Sequence, residues 1–579
     1  MTEEEKYKII SNEYADLIIE YDRNERLLEQ FKGNTVQVMN NRFAIVYIPT
    51  ATITGRSMSL FGYSAIPSCY GLLGTASFNA SGITRMRNLP NFNLLGQGTL
   101  IGFVDTGIDY TNPIFRKQDG TTRIISIWDQ TIDSVDRFPG GSEYGEGILY
   151  GEPTYYGTEY VKEQIDVALS SQDPYSIVPS KDEIGHGTML AGIAAGNPSE
   201  AQDFRGVAPE AEMVVVKLKQ AKQILMNYFS IPNDVPCYQE NDIMWGVQYL
   251  TRIARRLNRP MAICIGLGSS QGNHDGRGSL ASMLSIAADF PGICITVAAG
   301  NEGNTRRHFY SNIDPAIGFK SVELYVSEKD KGFAMEIWGT SPGAYSIDIL
   351  SPSGEQIQKI EPGLLVNREI SFVFEETIIL IDYQLAEVQT GEQLIILRFR
   401  NPTPGVWRFN VYGSGDLPES FHIWLPSGNF ISPDTYFIQS NPYTTITSPG
   451  NAPIPITVTA YNPDNDVIYQ AASRGYSSIN VVKPDLAAPG VNLTAPTLEQ
   501  TFQLFSGTSA AAAHTVGVTA LLLEWGILKG NFKGITTVEV KKFLLRGAER
   551  NIRIRYPNKD WGYGALDIYN AFNILRFDV

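Results

Sequence analysis

The spacing of apolar and polar positions changes period several times along the chain, and those changes divide it. Tyr14–Tyr21, Val36–Met39 and Phe43–Ile48 read as short strands, with an amphipathic helix near Arg23–Phe31 between the first two. Uninterrupted apolar runs at Leu100–Val104, Glu212–Leu218 and Met261–Gly268 predict strands buried on both faces. Asn241–Leu257 and the stretch after Ser509 carry helical patterns, the second apolar all round, so that helix should be buried. Buried strands alternating with helices predict an α/β chain built on a parallel sheet. Between Arg306 and Gly450 the pattern is different. Ser321–Val326, Ala334–Trp338, Tyr345–Leu350 and Gly405–Tyr412 follow one another as strands with turn residues between, which predicts an all-β sandwich or jelly roll. Ser134–Ser180, rich in Gly, Tyr, Glu, Asp and Pro, reads as an exposed excursion.

Composition narrows the functional classes. With 46 basic against 61 acidic residues, the net charge of -15 argues against a nucleic-acid partner, which would need clustered Lys and Arg. The N-terminus, Met1-Thr2-Glu3-Glu4-Glu5-Lys6, lacks the basic start and apolar core of a secretory signal, and no uninterrupted apolar run is long enough for a membrane span. The expectation is a chain that is cytoplasmic at synthesis. Cys69, Cys237, Cys264 and Cys294 are widely spaced and should be free buried thiols, in keeping with a reducing compartment. C-x-x-C pairs and H-E-x-x-H are missing, which removes the common zinc sites, and the Asp and Glu residues show no calcium-ligand spacing, so no metal or other cofactor is expected.

Candidate chemistry sits at the ends of the buried elements. Gly507-Thr508-Ser509 delivers a serine to the first turn of the apolar helix, where amide dipoles favour developing negative charge; the same tripeptide is also an ordinary helix N-cap. Leu100–Asp105 followed by Thr106-Gly107 places an acid at the carboxyl end of a strand, where open α/β sheets carry functional side chains. Gly185-His186-Gly187 opens a small-residue helix, with glycines allowing close approach on either side of the imidazole. His274, His308, His422 and His514 fall in loops, in the β-rich segment, or on another face of the serine helix, so His186 is the expected general base.

Asp105, His186 and Ser509 in that chain order resemble the triad of the subtilisin-like serine proteases, the subtilase or S8 peptidase family. Thr296–Gly303 resembles the family's strand and loop carrying the oxyanion-hole asparagine, here Asn301. Met261–Gly268 resembles the segment whose edge pairs with the substrate backbone, which makes Gly266, Leu267, Gly268, Ala298, Ala299 and Gly300 the expected substrate-binding residues. Small residues at those positions are equally what strand packing asks for. The resemblance departs from the family pattern after the nucleophile, where relatives commonly place Met and Pro and this chain has Ala510 and Ala513.

The resemblance implies four segments: a propeptide-like α/β domain at 1–75, a subtilisin-like catalytic domain at 76–305 and 451–579, and an inserted β-sandwich or jelly roll at 306–450. The first unit would assist folding and occupy the active site, with self-cleavage in the linker Ser64–Phe78; a docking domain that is never cleaved is the other reading. A jelly roll inserted before the nucleophile is similar to the Csp group of clostridial spore proteases. That likeness implies a serine endopeptidase with a peptide or protein substrate, its own propeptide as a second partner, a spore-associated location, and activation of a cortex-lytic enzyme precursor in germination. Non-catalytic members of the same group leave an alternative, a pseudoprotease acting as a germinant sensor or scaffold.

Overall fold

The computed structural model describes residues 3–53, 61–73, 94–132, 156–199, 204–363, 365–413 and 419–575. At its centre, neighbouring strands Ile124–Asp129, Glu212–Lys217, Leu100–Asp105, Met261–Ile265, Ile293–Ala298, Ile456–Asn462 and Leu486–Pro489 pair in parallel. Side-chain alternation feeds both faces of this sheet. Ile101 and Phe103 join one apolar cluster with the helices His186–Ala195 and Thr508–Leu523, while Leu100 and Val104 join another with the helices Glu240–Leu257 and Ser279–Ala288. Burial on both faces is why these strands read as continuous apolar runs rather than alternating ones. The helix Thr508–Leu523 is buried at every position, and Ala510 and Ala513 lie within it without interrupting it.

Three expectations need correction. The helix near Arg23–Phe31 shrinks to Arg26–Glu29, because Asp22 and Arg23 adopt left-handed φ values of 44° and 64° and leave too few residues for a stable nucleus. Met261–Gly268 is not one strand; it breaks at Gly266 into Met261–Ile265 of the main sheet and Leu267–Gly268 of a separate ribbon. Of the excursion expected at Ser134–Ser180, residues 134–155 lie outside the described residues, and the remainder is part of the domain. Thr158–Val161 pairs antiparallel with the edge strand Ile124–Asp129, and Tyr160, Ile165 and Val178 are buried in the core beside it.

The β-rich segment enters between two adjacent strands of the main sheet, Ile293–Ala298 and Ile456–Asn462. It forms two antiparallel sheets, one centred on Gly332–Gly339 and Gln393–Arg400, the other on Phe319–Val326 and Gly405–Tyr412. In Gly405–Tyr412 the alternation is regular: Trp407, Phe409 and Val411 face the shared core while Val406, Arg408 and Asn410 do not. Gly332–Gly339 is buried on both faces instead. Phe333, Met335 and Ile337 enter the sandwich core, whereas Ala334 and Trp338 join Tyr63, Ile66, Cys69, Phe229 and Phe430 in a separate cluster against the catalytic domain. The insert is therefore docked through a dry face and is not a tethered module.

The N-terminal strands Tyr14–Glu20, Phe43–Pro49 and Thr35–Val38 form an antiparallel sheet in that spatial order. Ile18, Ile45 and Tyr47 pack on the helix Glu240–Leu257, and the alternate positions Leu17, Val46 and Ile48 form a small cluster of their own. A buried ion pair joins this unit to the rest: Asp16 meets the Lys222 ammonium, and its other oxygen accepts from Gln239 Nε2 at 2.7 Å and Asn241 Nδ2 at 2.9 Å. Burial holds the Lys222 pKa below its ordinary value, with Asp16 acting in the opposite direction. Removing one partner of such a pair strands the other, so Asp16→Ala should cost about 3–5 kcal/mol. Hydrogen exchange should show the loss as faster exchange of the amides in Tyr14–Pro49; protection unchanged from wild type would mean that the pair does not hold the unit.

Candidate active site

Asp105 ends its strand and is 1% exposed, with Oδ1 accepting from the Thr106 amide at 2.8 Å and lying 2.7 Å from His186 Nδ1. His186 Nε2 lies 3.2 Å from Ser509 Oγ. The three side chains expected from sequence are thus brought into one chain of contacts, although 81 and 323 positions separate the successive pairs. Burial lowers the His186 pKa, but the Asp105 charge and hydrogen bond, the Asp182 charge and the Leu73 carbonyl raise it, and the balance lies above the ordinary value. In this arrangement an imidazole can accept a hydroxyl proton from the serine while the buried carboxylate favours the charge that results.

The imidazole is held by residues that sequence reading missed. Asp182 accepts from Ile184 N, Gly185 N, Thr188 N and Thr188 Oγ1 at 2.7–3.1 Å, which satisfies amides at the start of the helix His186–Ala195. An acid a few residues before a small-residue helix is a capping signal that could have been read. Close approach explains one of the flanking glycines: a Cβ on Gly187 would lie 2.2 Å from the Gly107 carbonyl oxygen, in the turn after Asp105. Thr106 Oγ1 accepts from the Gly187 amide at 2.9 Å and ties the same two turns together.

Asn301 lies beside the serine helix. Its Oδ1 accepts from both Thr508 N and Thr508 Oγ1 at 3.2 Å, which leaves Nδ2 as its outward donor, and Thr508 Oγ1 in turn accepts from Gly300 N at 3.0 Å. Thr508 is a second positioning residue that the sequence reading passed over, next to the serine itself. The other expected binding residues separate into two groups. A Cβ on Gly268 would meet Thr447 and the Leu73 side chain at 2.4 and 2.8 Å, and one on Gly300 would meet Thr447 and Ser473 at 2.5 and 2.7 Å. These two glycines therefore border the space that holds Leu73, and Ala298 and Ala299 lie buried on the strand and turn leading to Gly300. Gly266 faces elsewhere: its Cβ would meet Leu190 at 2.7 Å and both His186 and Ser509 at 3.3 Å, so its small size makes room for the triad side chains and not for a substrate pocket.

That space is filled by the chain's own N-terminal linker. Cys69–Leu72 is the middle strand of a three-stranded antiparallel ribbon, with Leu72 opposite Leu267, Gly71 opposite Gly268, and Cys69 and Tyr70 opposite Gln239 and Tyr238. Just beyond it, the Leu73 carbonyl oxygen accepts from the Ser509 amide at 3.1 Å. The Leu267–Gly268 edge thus pairs with an extended peptide, and a backbone carbonyl points at the N-terminus of the serine helix.

Comparison with known proteins gives the same placement. The Clostridium perfringens CspB protease structure is similar, at 30% identity and a TM-score of 0.75, over 86% of this chain and 97% of that one. The C5a peptidase of Streptococcus pyogenes serotype M1 is 23% identical over 511 residues, covering 82% of this chain and 39% of the relative. Subtilisin-like protease SBT3.15 of Arabidopsis thaliana is 23% identical over 491 residues, 81% of this chain and 57% of the relative. The chain thus spans well under two thirds of the length of these two relatives. The subtilase pattern itself matches residues 96–317 and 419–564, on either side of most of the β-sandwich, and contains Asp105, His186, Asn301 and Ser509. With that match over more than half its length, the chain belongs to the subtilase family and is a serine endopeptidase.

Proposed function

We propose that this subtilase cuts its own chain after Leu73 and then acts on another protein by limited proteolysis. The observation that carries the first step is the Leu73 carbonyl, held 3.1 Å from the Ser509 amide at the end of a strand already paired with Leu267–Gly268. Ser509 Oγ attacks the Leu73 carbonyl carbon while His186 takes the hydroxyl proton, and Asp105 holds the imidazole in the tautomer that can accept it. The Ser509 amide and Asn301 Nδ2 donate to the oxyanion. Collapse of the intermediate breaks the bond to the Gly74 nitrogen, which takes its proton from His186, and water then hydrolyses the acyl-enzyme. Tethering makes the first attack intramolecular, which removes the entropy cost of bringing substrate and serine together.

The same edge and pocket would receive a second protein once the linker has left. The likeness to the Csp group makes a cortex-lytic enzyme precursor the partner we propose, with a spore-associated site of action. Intact-mass analysis of freshly purified protein tests the first step. We expect an N-terminal fragment ending at Leu73 and a remainder beginning at Gly74. A wild type of full-length mass, unlabelled by a serine-directed fluorophosphonate, would overturn the reading and favour the sensor or scaffold alternative.

A further inference from the structure

The inserted β-sandwich reaches the substrate strand at one position, and this rests on the reading that the cut follows Leu73. Counting back from the cut, Leu73 is the first residue, Leu72 the second and Gly71 the third. A Cβ built on Gly71 would lie 3.4 Å from Phe430 Cζ, with Cε1 at 3.7 Å and Cε2 at 3.9 Å. Phe430 ends the short 3-10 turn Gly428–Phe430 of the insert and is 5% exposed. Its turn is anchored beside the oxyanion loop: Gly428 N donates to Glu302 Oε1 at 2.8 Å, and Arg307 Nη1 donates to the Gly428 carbonyl at 2.7 Å. Glu302 directly follows Asn301 in sequence. Around the ring, Cys69, Trp338 and Trp424 belong to the same buried cluster, so there is little room for it to swing away.

Backbone conformation does not ask for glycine at this position. Gly71 lies in an extended strand and is absent from the glycines with positive φ, and any residue adopts such a conformation. What remains is the ring. Carbon atoms rest about 3.5–4.0 Å apart at best contact, so an alanine methyl would touch Phe430, whereas further branching would drive carbons into it.

We infer that Phe430, supplied by the insert, is a specificity-determining residue that restricts the third position before the cut to glycine or alanine. The substrate class follows: an extended segment with leucine at the cut and a residue no larger than alanine two positions earlier, whether in this chain or in a partner. The restriction belongs to the insert and not to the parallel-sheet domain, which gives the β-sandwich a part in choosing substrates besides its packing role.

Self-cleavage of the full chain reads this directly, as the rate at which the fragment ending at Leu73 appears on a denaturing gel. Gly71→Ala should be cut within about threefold of the wild-type rate, and Gly71→Val should be slowed by about 10–100-fold, as expected for forcing a side chain into a packed site. Adding Phe430→Ala, or Phe430→Leu if the alanine variant does not fold, should restore Gly71→Val to the rate of the Phe430 single variant. A general folding defect in Gly71→Val would not be rescued this way. Wild-type cutting with Gly71→Val cut equally fast, or a double variant as slow as Gly71→Val alone, overturns the inference by itself. An uncut wild type overturns the reading beneath it as well.

Discussion

Ser509→Ala should emerge from expression as one full-length chain, in which no fragment ending at Leu73 forms on the timescale of the wild type. The loss should be about 10⁶-fold in the rate of the chemical step, the size found for the nucleophile of subtilisin, itself a member of this family. Nothing else in the molecule should change. Ser509 is fully buried on the first turn of a helix whose next four residues are alanine, and alanine is the best helix former, so the helix Thr508–Leu523 is preserved. Removing Oγ also deletes only one contact, the 3.2 Å approach to His186 Nε2, while the Ser509 amide keeps its bond to the Leu73 carbonyl. The variant should therefore hold the linker in place uncut, and thermal unfolding should match or exceed that of wild type. Cutting after Leu73 at an undiminished rate would assign the cleavage to another protease.

Asp105→Asn should slow self-cleavage by about 10⁴-fold, as an isosteric change at the corresponding acid does in another serine protease. The amide would donate to His186 Nδ1, leaving the proton on Nε2, where it faces Ser509 and cannot accept. The pH dependence should move too. His186 acts as a base only when neutral, and its pKa lies above the ordinary value because Asp105, Asp182 and the Leu73 carbonyl outweigh burial. Wild-type cleavage should therefore fall as pH drops through a value above that of a free histidine. Without the Asp105 charge, burial would dominate, so the residual activity of Asp105→Asn should survive to lower pH. First-order rates across pH 5–9 would check both statements, and a variant within tenfold of wild type at every pH would remove Asp105 from the mechanism.

What the sequence determined by itself was the set of elements with strong local signals. Leu100–Asp105 reads as a buried strand because apolar residues line both of its faces, and the helix after Ser509 reads as buried because no polar face exists. Asp105, His186 and Ser509 could be picked out because each sits at a strand or helix end marked by glycine, a signal that survives the long gaps between them. The strands of the insert were legible for a similar reason: Trp407, Phe409 and Val411 alternate with Val406, Arg408 and Asn410.

Only the tertiary structure decided how backbone and small residues are used. The pairing of Cys69–Leu72 between Tyr238–Gln239 and Leu267–Gly268 is made by main-chain groups, which every residue carries, so no side-chain pattern announces it. Thr158–Val161 was hidden in a polar-looking segment because an edge strand needs few apolar positions to be held. Gly266, Gly268 and Gly71 are identical in sequence terms, yet one makes room for His186 and Ser509, one borders the space holding Leu73, and one lies against Phe430. A glycine records that something comes close; which atoms come close is set by elements hundreds of residues away, and those are brought there by folding alone.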